Sequence, residues 1–470
     1  MVWTPKKPVS FAVAAAFGFA VLWGGGVAPA NAQTFEEALV TAYQNNPQLQ
    51  SRRALLRAVD EAVPLAISNW RPNVEIEASQ GWQRRDNEPG ADNQVLNPRQ
   101  AQISIVQNLF NGGSNFAALE NAEKTVLAER ATLKSVEQTV LVNAARAYFN
   151  VLRDEAVLEL NRNNEDVLRR QLQAAQDRFR VGEITRTDVA QAQSRLAGAV
   201  ADTVESAGTL EISRANFEQV VGMRPGVLVE PIPFSDLPLS LDDAISLATS
   251  NNPDVVAALY NWEAAQADIK DQRGALLPSF NASFTYTYQD EAAVDNFITN
   301  TALVTGTLTI PIYQQGAVYS QIRDAKHRAG QSRLDADQTR NEVRESATQG
   351  WENLSSAKAR VDSFNAQIEA ASIALEGVSR EAQVGSRTVL DVLDAEQELL
   401  TARVNLVRAK RDVAVSTYEL LTALGRMTAQ DLALGTPIYD PTEHYREVKW
   451  QWFGSSESAD QDAAYGRPTN

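Results

Sequence analysis

The chain contains the same pattern twice, and this internal duplication limits its fold more than any other feature. Phe35–Ala38 followed by Asn45-Asn-Pro47 matches Leu241–Ala244 followed by Asn251-Asn-Pro253, at an offset of 206 residues. Beyond Pro72 the offset falls to 203 residues, which places the change in length within a loop. The shorter offset aligns Phe110 with Tyr313, Tyr148 with Trp351, Asp188 with Asp391 and Gly222 with Gly425. The sequence therefore predicts one structural unit in two copies: a first at 33–222, a linker at 223–240 and a second at 241–425.

Each copy is predicted to contain one very long helix. Apolar residues between Leu133 and Val151 recur every three or four positions, which is the spacing of one helix face, and no proline occurs from Gly113 to Gly222. A helix over 113–179 would be about 100 Å long. Two shorter helices, predicted at 36–69 and 187–221, would cover its apolar stripe if they were stacked end to end, as in coiled coils.

Between the helices of each copy, the sequence alternates with a period of two. Apolar side chains dominate one face of the predicted strand pairs at about 73–110 and 279–312, and polar residues dominate the other face and the loops at 83–100 and 289–302. This alternation fits either a half-buried sheet of a soluble domain or a transmembrane barrel. Trp82, Tyr286 and Tyr288 lie near the loop ends, where an interfacial aromatic girdle belongs, and favour the barrel. Because four strands are too few to close a barrel, oligomerisation is expected.

The N-terminal residues 1–32 are predicted to be a signal peptide. Lys6 and Lys7 precede the apolar run Val9–Trp23, and Ala30-Asn-Ala32 supplies the small residues of a cleavage site. The mature chain is then expected to begin at Gln33. The alternative is a membrane anchor, although the apolar run is shorter than the ~20 residues that span a bilayer.

Composition excludes several kinds of function. The chain has no Cys and only two His, so disulfides, thiolate chemistry and a His-rich metal site are not expected. A formal net charge of −16 argues against nucleic acid as a partner. We find no phosphate-binding loop and no convergent catalytic cluster, so neither a cofactor nor an enzymatic activity is predicted.

Two motifs make the chain resemble the TolC family of outer-membrane efflux and type I secretion channels. They are the corner Tyr313–Ala317 and, above all, the run Val384–Ala395 with the sequence VGSRTVLDVLDA. The resemblance implies a homotrimer whose twelve strands form one β-barrel in the outer membrane, above an α-helical barrel that crosses the periplasm. It also implies docking onto a periplasmic adaptor and an inner-membrane pump of the ABC or RND type, for drug efflux or type I protein secretion. Without cysteine, the chain is more similar to TolC than to the lipoprotein branch.

The helix turns at Gly182 and Gly385 carry the first candidate site. The resemblance implies that they form the periplasmic tip, where an adaptor hairpin would pack into the groove left by the missing side chains. Asp188 and Asp391 each follow a threonine by three residues, which is the spacing of a capping box. Both aspartates are therefore expected to cap the helices that leave the turns.

Asp391 and Asp394 are the candidate gate. They share one helix face, and three chains would bring six such carboxylates together, which predicts a cation-selective acidic ring. By resemblance, Arg387 is a latch that ties this helix pair to a neighbouring pair near Thr187 and Asp188. A second family tie uses a tyrosine where this chain has Ala382.

The residues beyond the second copy have no counterpart in the repeat. We predict that 426–453 packs around the waist of the helical barrel and that 454–470 is disordered. The alternative function for the whole chain is a periplasmic coiled-coil adaptor or scaffold, which would account for the long helices but not for amphipathic strands with aromatic ends.

Overall fold

The computed structural model describes residues 32–85, 94–232, 234–292 and 297–455. Residues 1–31 of the predicted signal peptide and residues 456–470 of the predicted tail lie outside the described part. In chain order the helices are α1 Phe35–Asn45, α2 Pro47–Asp60, α3 Ala62–Ser68, α4 Ser114–Arg180, α5 Arg186–Val221, α6 Leu241–Asn251, α7 Pro253–Gly274, α8 Ala317–Gln383, α9 Val389–Ala423 and α10 Glu443–Val448. The strands are β1 Ala32–Gln33, β2 Asn73–Gln80, β3 Gln83–Arg85, β4 Gln94–Leu96, β5 Arg99–Asn111, β6 Val227–Leu228, β7 Ser279–Asp290 and β8 Ile298–Thr309. Both copies have the order short helices, strand pair, long helix and shorter helix, and the first copy adds a third short helix and the small hairpin of β3 with β4.

The two long helices have the length that the repeat predicts. Both α4 and α8 contain 67 residues, and each packs side by side with the helix that follows it, α5 or α9. On the other part of its length α4 packs against α1, α2 and α3, and α8 packs against α6 and α7. Shorter helices therefore line one long helix in both copies, but they are more than the two predicted: α1, α2, α3 and α5 line α4, and α6, α7 and α9 line α8. Among the described residues, no helix combines the length and the apolar character needed to cross a bilayer.

The single helix predicted at 36–69 is wrong, because the chain forms three helices there. Pro47 begins α2, and its ring nitrogen has no hydrogen to donate to the preceding turn. Asn46 ends α1 and caps α2 by accepting a hydrogen bond from the Gln48 N–H at 2.9 Å. Pro64 lies two residues inside α3, so it cannot donate to the carbonyl of Asp60, where α2 ends.

The repeated Asn-Asn-Pro sequence joins distant helix ends as well as starting helices. The buried amide of Asn46 donates to the Val220 carbonyl in the last turn of α5, at 2.9 Å. Asn252 repeats this arrangement in the second copy, donating to the Ala423 carbonyl of α9 at 3.1 Å. Each asparagine thus satisfies free backbone groups of two helices, which explains why the motif occurs in both copies.

The main sheet has four antiparallel strands in the order β2-β5-β7-β8. Its register aligns the apolar residues of neighbouring strands: Val74 lies opposite Ile105, Ile105 opposite Phe284 and Phe284 opposite Val304. One face of the sheet is therefore apolar across all four strands, as the alternation predicts.

The loops are shorter than predicted because the strands extend into them. The predicted loop at 83–100 includes the hairpin of β3 with β4 and the first residues of β5, and β7 and β8 both enter the predicted loop at 289–302. At its other end β8 stops at Thr309, so Ile310 and Ile312 follow the strand instead of belonging to it.

An aromatic core lies at the waist of the molecule, between α1, α4 and α9. The rings of Phe35, Tyr148, Phe149 and Tyr418 pack against one another with centroids 5.0–5.8 Å apart. The buried Tyr148 hydroxyl donates to the Val229 carbonyl at 2.6 Å. The predicted linker contains β6, which pairs in parallel with β1. The bond from Tyr148 holds this linker against α4.

Candidate gate at the helix turns

The turns between α4 and α5 and between α8 and α9 have the same backbone geometry. Gly182 has φ +80° and Gly385 has φ +79°, a conformation that glycine adopts with little strain. A Cβ atom built on either glycine would meet no heavy atom within 4 Å. The positive φ angle, and not close packing inside this chain, therefore explains the glycines, and the surface beside each turn is open.

Both predicted capping boxes are present. At the second turn, the Thr388 backbone N–H donates to Asp391 Oδ2 at 2.8 Å, and the Asp391 N–H donates to Thr388 Oγ1 at 3.2 Å. The Thr185–Asp188 pair of the first turn repeats this geometry at 2.8 and 3.3 Å. Hydrogen bonds from the Thr388 backbone and hydroxyl, with the nearby charge of Arg387, hold the pKa of Asp391 below its ordinary value. Asp391 therefore carries a negative charge throughout the neutral range.

Asp394 has an ion-pair partner that the sequence did not indicate. Its carboxylate accepts from the Arg195 guanidinium of α5, so the bond joins the two helices that leave the turns. Arg195 and Asp394 lie 199 residues apart, and their positions in the other copy hold Glu398 and Gln191. Each copy thus carries one charged partner that the other copy lacks, and this difference is the signal in the sequence that could have indicated the pair.

Two further contacts join α9 to the first helix pair. Gln171 of α4 donates to the Glu396 carboxylate at 3.1 Å, and burial raises the pKa of Glu396. Leu393 is almost fully buried in a small apolar cluster with residues of α4 and α5 such as Leu168 and Ala192. The beginning of α9 is thus held against α4 and α5 on one face by charge, hydrogen bonding and packing.

Arg387 lies within its own turn in the single chain. Its Nε atom is 3.0 Å from Glu381 Oε2, whereas the predicted partner Asp188 is bonded to Thr185 and Thr187 is exposed. The structure therefore brings Arg387 to Glu381 and not, within one chain, to the predicted latch partners. Ala382, at the position of the family tyrosine, is a half-exposed residue of the last turn of α8.

The three predicted girdle residues lie near the loop end of the sheet. Trp82 lies two residues beyond the end of β2 and is 68 % exposed, and Tyr288 lies opposite Ala101 and Asn300. Tyr286 is two residues further from the loop and lies opposite Ile103 of β5. Tyr286 and Tyr288 are even-numbered residues of β7, whose even positions carry the apolar face, and Trp82 continues the even numbering of the apolar positions of β2 just beyond the end of that strand. They extend the apolar face toward the loops. In the described ranges, no group of three or more His, Asp or Glu side chains is placed to hold a metal ion.

Comparison with known proteins accounts for this architecture. The sequence profile of the family described as "Outer membrane efflux protein" matches residues 38–223 and 244–426, which are the two copies of the repeat. The chain belongs to the outer membrane efflux protein family. It is 37 % identical over 439 residues to the outer membrane efflux protein BepC of Brucella suis, covering 93 % of this chain and 95 % of BepC. It is 27 % identical over 410 residues to the outer membrane protein TolC of Vibrio cholerae, covering 85 % of this chain and 92 % of TolC.

Solved structures of outer-membrane and transmembrane channel proteins have the same fold. The Campylobacter jejuni outer membrane channel CmeC superposes with a TM-score of 0.77 at 16 % identity, covering 88 % of this chain and 89 % of CmeC. CusC superposes with a TM-score of 0.74 at 18 % identity, covering 83 % of this chain and 91 % of CusC. The predicted relationship to TolC, the helical and β architecture, the outer-membrane location and the channel function are confirmed, and the adaptor alternative is not supported.

Proposed function

We propose that three copies of this chain close one twelve-stranded barrel and one helical tunnel, through which molecules leave the cell. One observation carries the proposal: the sheet of a single chain has an uncovered apolar face and two free edges. Ile76 on β2 and Val304 on β8 are 76 % and 78 % exposed, and among the described residues β2 and β8 have no partner on their outer sides. Pairing β8 of one chain with β2 of the next removes both edges, and lipid covers the apolar face.

The mass of the solubilised protein tests the trimer. Light scattering after size exclusion in detergent is expected to give three times the mass of the mature chain, and an unheated sample is expected to migrate in SDS as an assembly that dissociates on heating. A monodisperse single chain inserted in the outer membrane would contradict the proposal.

Asp391 and Asp394 are proposed to form the acidic ring at the narrow end of the tunnel. Asp391 stays ionised because its pKa is depressed, and a ring of carboxylates attracts cations and repels anions. The pairing of Asp394 with Arg195 neutralises part of this charge, so Asp391 contributes the larger share.

Reversal potentials in planar bilayers test the ring. The double variant Asp391→Ala/Asp394→Ala is expected to lose cation preference and block by multivalent cations. As a matched control, Asp335→Ala/Asp337→Ala removes the same charge from exposed positions of α8 far from the turn. Equal loss of selectivity in both variants would show that total charge, and not a ring at the turn, determines selectivity.

The closed gate is proposed to be held mainly by the bond between Arg195 and Asp394, since it joins the two helix pairs within one chain. Arg387, with Thr187 and Asp188, is proposed as a second latch that forms between subunits. Single-channel conductance is expected to rise in Arg195→Ala and in Arg387→Ser. If conductance in one of these variants is no higher than in the wild type, the latch assigned to that arginine is wrong.

The turns at Gly182 and Gly385 are proposed to contact a periplasmic adaptor that links the channel to an inner-membrane pump. Gly385→Asn tests this contact, because asparagine tolerates a positive φ and adds a side chain to the open surface. Gly316→Asn is the matched control, with φ +81° at the opposite end of α8 and no heavy atom near its Cβ position. Only Gly385→Asn is expected to reduce adaptor co-purification and resistance to toxic compounds, and equal effects in both variants would contradict the contact.

The cargo is proposed to follow from the pump. BepC is described as an efflux protein, whereas the Pseudomonas aeruginosa relative AprF, 25 % identical over 342 residues, is described as an alkaline protease secretion protein. Loss of this chain is expected to sensitise cells to toxic compounds if it serves efflux, and to remove proteins from the culture medium if it serves secretion.

A further inference from the structure

The prediction that 426–453 packs around the waist holds for only part of this segment. Residues 426–455 continue past the waist to the end of the sheet where β2 begins. Near the waist, the Tyr439 N–H donates to the hydroxyl of Tyr43 in α1 at 3.0 Å. At its far end, the Gln451 carbonyl accepts from the guanidinium of Arg71, two residues before β2, at 2.7 Å. Between these points α10 packs against α2. The segment therefore runs along α1 and α2 toward the strands.

The segment ends in a cluster of uncovered aromatic side chains. Trp450, Trp452 and Phe453 are 67 %, 59 % and 87 % exposed, and the Arg71 guanidinium lies 4.7 Å from the ring centroid of Trp452. Single exposed apolar residues are ordinary, but three large ones within four positions form a patch that calls for a binding partner.

Neighbouring contacts place this patch at the level where the sheet begins. The Trp70 carbonyl accepts from the side chain of Gln107 in β5 at 2.8 Å. The Trp70 ring packs edge to face on Phe116, with centroids 5.1 Å apart, and Phe116 is itself exposed. Because Arg71, the neighbour of Trp70, contacts Gln451 and Trp452, the aromatic patch lies beside the end of the sheet that is remote from the loops.

The height of the patch matches one boundary of a bilayer. Arg71 and Trp82, the girdle residue at the other end, lie eleven positions apart, and β2 occupies Asn73–Gln80 between them. If the whole stretch is extended it spans at most about 36 Å, and a tilt of ~45° reduces this to about 26 Å along the membrane normal. The apolar band of an outer-membrane barrel is about 25 Å tall. If Trp82 lies at one interface, the patch lies at the other.

We propose that Trp450, Trp452 and Phe453 form an anchor in the phospholipid headgroup region of the leaflet that faces the periplasm. Tryptophan prefers this region because its ring is apolar and its indole N–H needs a polar partner. Arg71 and Lys449 flank the rings, and both are held within the chain: Arg71 donates to the Gln451 carbonyl at 2.7 Å and Lys449 pairs with Glu123 at 3.0 Å. The anchor therefore depends on the three rings and not on these two charges. If the three rings faced a water-filled tunnel and not lipid, they would remain exposed to water. The inference rests on the proposed membrane position of the sheet.

Spin labels test the anchor, because a chain without cysteine accepts a label at one chosen position. Nitroxides are attached to Phe453→Cys in the patch, Ile76→Cys on the apolar sheet face and Phe179→Cys near the remote turn. The full-length protein is reconstituted in vesicles of phosphatidylethanolamine and phosphatidylglycerol. Collisions with oxygen, which concentrates in lipid, are compared with collisions with a water-soluble nickel complex.

We expect the oxygen-to-nickel ratio at position 453 to be several-fold higher than at 179 and lower than at 76. Adding Trp450→Ser/Trp452→Ser to the labelled Phe453→Cys chain is expected to move the ratio toward that of position 179. A high ratio at 76 with equal ratios at 453 and 179 would overturn the anchor alone, whereas a low ratio at 76 would overturn the membrane position of the sheet. Protection of position 453 from both reagents would show that protein covers the patch, which also overturns the anchor.

Discussion

The junction between sheet and helix in the first copy gives a sharp test of backbone packing. Gly112 and Gly113 are adjacent, and both have positive φ angles, of 56° and 85°. A Cβ atom on Gly112 would overlap the Gly274 carbonyl oxygen and lie 2.9 Å from the Leu277 Cβ, whereas a Cβ atom on Gly113 would meet nothing within 4 Å. The two glycines therefore differ in packing, although their backbone conformations are both left-handed.

The expected free energies follow from this difference. Alanine in the left-handed region costs roughly 1–2 kcal/mol, which applies to both Gly112→Ala and Gly113→Ala. Only Gly112→Ala adds the overpacking of a well-filled site, which costs typically about 1–3 kcal/mol more. Gly112→Ala is therefore expected to destabilise the protein by ~2–5 kcal/mol and Gly113→Ala by ~1–2 kcal/mol.

Thermal melting of the full-length protein in detergent, followed by circular dichroism at one scan rate, measures the difference. At about 2–4 °C per kcal/mol for large domains, Gly112→Ala should melt at least ~2 °C below Gly113→Ala. Gln315 occupies the Gly112 position in the second copy with φ 55°, so Gln315→Gly should raise stability by no more than ~1 kcal/mol. Equal melting temperatures for the two alanine variants would refute the argument, because they would show that Gly274 yields without strain.

Three further changes have expected outcomes. The depressed pKa of Asp391 means that its stabilising effect is present above the ordinary pKa and is lost as the pH falls through the depressed value. Asp391→Asn should therefore lower the melting temperature at pH 7, and the difference from the wild type should shrink as the pH falls below the ordinary pKa of aspartate; a constant difference would contradict this. Tyr148→Phe leaves the Val229 carbonyl without its donor and should cost about 1–3 kcal/mol in thermal or denaturant unfolding; a neutral result would mean that the bond carries no net stability. Asn252→Asp keeps the helix cap but loses a buried donor and should cost about 1–3 kcal/mol, whereas the exposed Asn251→Asp should change melting little.

Much of the architecture follows from local patterns. The 67-residue length of α4 and α8 was predictable because no proline interrupts the helical pattern before the repeated Val-Gly turn. Both threonine-aspartate caps form as predicted, since a capping box involves only four consecutive residues. The broken helix at 36–69 shows the limit of this reasoning: the apolar period continued through Pro47 and Pro64, but the missing N–H groups outweighed it.

The candidate gate was only partly visible in the sequence. Asp391 and Asp394 could be singled out because the first copy lacks one of them, yet the partner of Asp394 was not foreseen. Arg195 lies on another helix, and only the packing of α9 against α5 brings the two charges together. The distance between two side chains on separate helices depends on the length and the rotation of both helices. The spacing of residues along one helix does not describe either quantity for the pair.

The amino-acid sequence by itself determined the duplication, the long helices, the amphipathic strands and the caps, because each depends on residues within a few turns of one another. The tertiary structure decided which edges of the sheet stay free, that Gly112 must be glycine where its counterpart is Gln315, and where the aromatic C-terminal segment ends. These features join residues far apart in the chain, and their energies arise from close packing, which exists only after the helices and strands have met.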